Sequence, residues 1–106
     1  MFGVSSGGEL AALAAVSCGV AALDPPAPAG PVESDCVQGA VTWYGGVDFA
    51  EDLSERQAML PPGSSPRIES PYVGCSPCTA EQLAAPSAST YVDAGDQLVL
   101  MIHGAD

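Results

Sequence analysis

Cys75 and Cys78 are separated by Ser76-Pro77, and a helix is expected to start close behind them. A thiol in the first turn of a helix is acidified, so Cys78 is the side chain best placed for sulfur chemistry. A zinc site would combine this pair with Cys36 and with Cys18 or His103. Four-ligand zinc sites usually pair two such motifs, and the second is missing. No metal or cofactor is therefore expected, with Cys36, Cys75 and Cys78 as the weakest of candidates. Four cysteines allow three pairings. A bridge from Cys36 to Cys75 or Cys78 is favoured, since it would tie an early strand to the C-terminal half. Cys18 reads as a small side chain buried in an apolar helix, and free thiols remain open.

Other chemistry finds little support. His103 is the single histidine and is expected at a strand end. No Gly-x-Ser-x-Gly elbow is expected to be present in the chain, so no serine triad is anchored and no catalytic residue is named. The absence of lysine excludes the phosphate-binding loop that ends in one. Asp48, Glu51, Asp52 and Glu55 recur at helical spacing without the alternate carboxylates and turn glycine of a calcium loop, and are expected to form a solvated helix face.

Charge sharpens the exclusions. Thirteen acidic residues face two basic ones, Arg56 and Arg67. Two cations cannot neutralise a nucleic-acid backbone or hold an anionic membrane, so neither partner is expected. Residues 10–23 are nearly all apolar, yet no positive side chain precedes them and they are too short to span a bilayer. They are expected to form a structural helix. The chain is 47% hydrophobic but only 6% aromatic, which implies a thin core of small side chains.

The elements follow from local signals. Ser6-Gly7-Gly8-Glu9 fits a capping box, predicting a helix to about residue 23 with Leu10, Leu13, Val16, Val20 and Leu23 on one stripe. Prolines at 25, 26, 28 and 31 predict an extended spacer. This divides the chain into an N-terminal helical arm (1–23), a proline-rich spacer (24–31) and a small β-rich domain with one or two short helices (32–106), an α+β fold. Within that domain the pattern predicts a strand over 36–44, a helix over 47–60, a short strand over 67–73, and a helix from Ser76-Pro77 to about 85. A hairpin is predicted between 90–92 and 97–102, turning at 93–96. Trp43 and Tyr44 are core or interface aromatics.

Two resemblances bear on function. Cys75 to Cys78 resembles the redox motif of thioredoxin-like proteins, whose fold places most of its sheet after the motif. Fewer than thirty residues follow it here, which sets redox catalysis aside. Residues 92–100 (Val-Asp-Ala-Gly-Asp-Gln-Leu-Val-Leu) resemble hairpins of small virion proteins, the decoration or cement proteins of phage heads. That resemblance implies a non-catalytic structural subunit of a virus capsid, bridging copies of itself and a larger shell. Leu10, Leu13, Val16, Val20, Leu23, Trp43 and Tyr44 would make the contacts. The alternatives are a secreted disulfide-stapled binding module and a small zinc or thiol-redox protein.

Overall fold

A computed structural model of the chain describes residues 1–24, 30, 33–64 and 72–104. The expected spacer and the expected strand at 67–73 fall largely outside them. The fold is α+β: a three-stranded parallel sheet with a few short helices. Strand β1 (Phe2–Val4) leads directly into helix α1 (Ser6–Val16). Strand β2 (Gly39–Trp43) lies at the centre and β3 (Leu98–Ile102) on its other side, all three running the same way. Val4, Trp43 and Ile102 are in register, so the chain leaves all three strands along one edge.

Helix α1 is buried on two faces. Ala11 and Ala15 pack on the sheet with Ala40, Val37 and Val99. Ala12 and Val16 pack with Ala88, Leu13, Val47 and Tyr91. Alanine serves here because the backbones lie so close that larger side chains would not fit. The helix stops at Val16, seven residues earlier than the apolar run predicts, and Gly19 with φ 76° turns the chain two residues past its Ser17 cap. Val16 is consequently buried, Leu13 and Val20 are half-buried, and Leu10 and Leu23 are exposed, so the predicted stripe does not form. Trp43 and Tyr44 are also exposed.

The predicted hairpin is absent. Residues Ala88–Thr90 form a 3-10 turn instead. Thr90 Oγ1 and Tyr91 Oη donate to the carbonyls of Ala84 and Ala85 and hold this turn against the helix before it. β3 is thus free to pair with β2, in parallel.

Helix α2 (Phe49–Met59) begins at Asp48, whose carboxylate accepts the amides of Ala50 and Glu51 and the hydroxyl of Ser89. Those bonds, the Glu51 amide foremost, lower the Asp48 pKa. Helix α3 (Ala80–Ala84) opens at Thr79, where Thr79 and Gln82 form a capping box, three residues after the cap expected at Ser76. Ser87 Oγ accepts the Phe49 amide and donates to the Leu83 carbonyl, joining α2 to α3.

The cysteines form Cys18–Cys36 and Cys75–Cys78, leaving none free. This replaces the favoured bridge from Cys36 to the later pair. It also removes Cys36, Cys75 and Cys78 as metal ligands, since a ligating sulfur must be a thiolate. No cluster of metal-binding side chains occurs among the described residues. Nor, among them, is any helix long and apolar enough to cross a membrane. Among the described residues β1 and β3 each pair on one side only, and Phe2, Leu98, Leu100 and Ile102 are exposed along those edges.

Candidate functional site

The turn between β1 and α1 holds a strained residue. Ser5 has φ 53° and ψ −127°, a conformation costly to any residue with a side chain and usually kept for function. It is nonetheless firmly held. Its amide donates to the Trp43 carbonyl at 3.0 Å, and its own carbonyl accepts the amides of Gly8 and Glu9. The result is a strand, one strained serine and a helix.

Around Ser5 the sequence reads Gly3-Val4-Ser5-Ser6-Gly7, a Gly-x-Ser-x-Gly pentapeptide. In the nucleophile elbow of α/β-hydrolases this pattern raises a serine hydroxyl above the sheet on such a turn. The expectation that the chain holds no such elbow is therefore wrong. Treating Ser6 to Glu9 as a capping box concealed it, and no capping bond forms. Gly3 has to be glycine: a Cβ there would collide with the Gly7 carbonyl and lie 2.7 Å from the Gly8 nitrogen. Gly45 is under a similar constraint, since a Cβ would meet the Glu9 nitrogen at 2.5 Å. At Gly7 nothing lies within 4 Å.

Ser5 opens onto a cavity of about 430 Å³ that Glu9, Phe49, Asp52, Arg56 and Tyr72 also line. That volume is within the usual range for small-ligand sites, roughly 300–1,000 Å³. The Ser6 amide is in the first turn of α1, where amides have no carbonyl of the helix to bind, and the helix dipole is positive there. Such a donor next to a nucleophile can stabilise an oxyanion.

Glu9, one helical turn beyond Ser5, is only 2% exposed. Its Oε2 accepts a hydrogen bond from Tyr72 Oη, while Oε1 has no partner among the described residues. Burial raises the Glu9 pKa and the Tyr72 bond partly offsets that. Tyr72 is pushed up to about 12, by burial first and then by the bond to Glu9 and its charge. Because the folded state binds the Glu9 proton more tightly than the unfolded one, stability should fall as pH rises from about 4.5 through the raised folded value. Glu9→Gln should flatten that slope and raise the melting temperature at neutral pH, as thermal unfolding across pH 4–8 would read.

The four acids expected to share a solvated face are divided. Asp48 caps α2, whereas Asp52 lines the cavity with its pKa raised by burial, against an opposing effect of Arg56. His103 directly follows β3, and no hydrogen bond links it to Ser5 among the described residues.

Comparison with known proteins gives this geometry a context. A family model described as BD-FAE matches residues 1–106. A solved structure described as a bifunctional GH43-CE protein of Bacteroides eggerthii superposes with a TM-score of 0.73 at 28% identity, covering 97% of this chain and 14% of that one. A second, a truncated form of a carbohydrate esterase from gut microbiota, gives 0.61 at 29% identity, over 97% and 39% of the two chains. The present chain thus spans well under half of either structure. No curated protein matches. These findings overturn the expectation of a non-catalytic phage decoration subunit located in the virion: the family model is BD-FAE, and the two structures are described as a bifunctional GH43-CE protein and a carbohydrate esterase.

Proposed function

The chain belongs to the BD-FAE family, and on that premise we propose that it carries the nucleophile of a serine esterase acting on ester-substituted carbohydrates. The observation that carries this reading is the strained Ser5 within Gly3-Val4-Ser5-Ser6-Gly7, opening onto a ligand-sized cavity. Descriptions of two structural relatives as carbohydrate-esterase proteins support the substrate class.

The chemistry follows from the geometry. Ser5 Oγ attacks the ester carbonyl carbon as a general base takes its proton. The carbonyl oxygen becomes an oxyanion facing the Ser6 amide. Collapse of the tetrahedral intermediate breaks the bond to the sugar oxygen, which takes the proton from the base. Water then attacks acyl-Ser5 and releases the carboxylic acid. In α/β-hydrolases the partners follow in the order serine, acid, histidine. His103 lies on the same edge of the sheet, two strands away, about 10 Å at ordinary strand spacing. The base is not assigned to it.

Labelling tests the reading. The intact protein treated with a fluorophosphonate should gain one adduct, located on the peptide containing Ser5, with parallel loss of ester hydrolysis. Hydrolysis that persists with Ser5 fully labelled would refute it.

A further inference from the structure

Tyr72 joins helices α1 and α2 at the wall of the Ser5 cavity. Its ring stacks on Phe49 with centroids 5.3 Å apart and planes inclined by 24°. It remains 43% exposed, and its hydroxyl is tied to Glu9. Besides the Ser5 cavity, it borders a second groove of about 550 Å³, lined by Leu10, Leu13, Val73, Gln82 and Pro86. Glu9 and Tyr72 are the two residues common to both spaces. A ligand with its ester at Ser5 and extending toward the groove therefore has to pass the Tyr72 ring.

Glu9 makes this placement costly. A nearly fully buried carboxyl with an unpaired oxygen forfeits hydration that one neutral hydroxyl does not fully replace. Features of this kind persist where function needs them. What Glu9 achieves is orientation: with the Phe49 stack below and the carboxyl at its tip, the Tyr72 ring is held at two points.

We propose that Tyr72 is the residue against which the sugar half of the ester lies, with Glu9 acting through it as a positioning residue. This rests on the esterase reading above. The choice of sugar over acyl group comes from the wall around the ring. Ser5, Ser6, Glu9, Asp52 and Arg56 supply hydroxyl, carboxyl and guanidinium groups to the Ser5 cavity, while Phe49 and Tyr72 supply a flat apolar surface. A sugar ring has that same combination, hydroxyls at its rim and C–H groups on its face. The hydroxyl of Tyr72, already donating to Glu9, keeps lone pairs free to accept from a ring hydroxyl.

The test uses the intact protein and two esters that share an acetyl group, an acetylated methyl glycoside and ethyl acetate. Tyr72→Ala should raise KM for the glycoside about 10-fold, the factor that corresponds to one well-formed aromatic contact. Its KM for ethyl acetate, whose alcohol half has no ring to lie on Tyr72, should rise several-fold less than its KM for the glycoside. Glu9→Leu should raise the same KM, whereas Glu9→Gln, which keeps an acceptor for the Tyr72 hydroxyl, should restore it. An equal loss on both esters, or an unchanged glycoside KM in Tyr72→Ala, would overturn the assignment. Should Glu9→Leu fail to fold, the Tyr72→Ala result decides alone, since that side chain is at the surface. Normal phosphonate labelling of Ser5 with an unchanged glycoside KM refutes the Tyr72 role only. Hydrolysis by fully labelled protein refutes the esterase reading itself.

Discussion

Ser5→Ala is expected to lower ester hydrolysis by the intact protein about 10⁴-fold or more, the order seen when a serine nucleophile is removed from a preorganised site. The fold should survive, because Ser5 is exposed and its two structural roles belong to its backbone. The substitution separates chemistry from strain. Alanine still carries a Cβ, so the cost of φ 53° and ψ −127° remains. Ser5→Gly removes it and should be more stable than Ser5→Ala by about 1–3 kcal/mol, offset in part by glycine's greater freedom when unfolded. Both variants should be equally inactive. Chemical denaturation of the pair, alongside turnover of p-nitrophenyl acetate, reads both effects. A Ser5→Gly protein no more stable than Ser5→Ala would show that the turn is not strained.

Gly3→Ala should unfold the site, at a cost of about 3 kcal/mol or more, the upper range for overpacking. The added methyl would collide with the Gly7 carbonyl and come within 2.7 Å of the Gly8 nitrogen. Backbone cannot rotate aside as a side chain can, so α1 would have to move off the sheet and take Ser5 with it. Most domains have only about 5–15 kcal/mol of stability to lose. Gly7→Ala is the internal control. Gly7 lies in the first turn of α1 with open space at its Cβ, so alanine should be neutral or stabilising by about 0.5–1 kcal/mol. Two glycines of one pentapeptide should thus respond in opposite directions, by thermal unfolding and by residual hydrolysis. Equal damage from both substitutions would mean that the close approach of α1 to β1 is not what fixes Gly3.

Local signals carried much of the fold. The strand predicted over 36–44 holds β2 and the run from Leu98 to Ile102 is β3, while residues 47–60 contain the whole of α2. What they could not convey was pairing. β3 follows a turn at Asp93 to Asp96, and nearness in sequence suggested a hairpin. The partner it found is β2, more than fifty residues earlier, because the residues before the turn were already hydrogen-bonded to the end of α3. The disulfides were obscured in the same way, since Cys18 was placed inside a helix that ends before it. The candidate site stood in plain view as Gly3 to Gly7. It escaped notice because β1 has only three residues, too few for any alternation, and because Ser6 with Glu9 mimics a cap. The burial of Glu9 had no local signal at all: a carboxylate in a first helical turn ordinarily faces water, and only the tertiary position of Tyr72 makes this one different.

The bare flanks of the sheet have a practical consequence. A strand with one side unpaired and Leu98, Leu100 and Ile102 uncovered is a template on which a stray polypeptide can add itself. The two edges offer two such templates at once, and clumping would mask any turnover at Ser5. Assays of this serine therefore belong at low protein concentration, with sedimentation confirming that the protein stays monomeric.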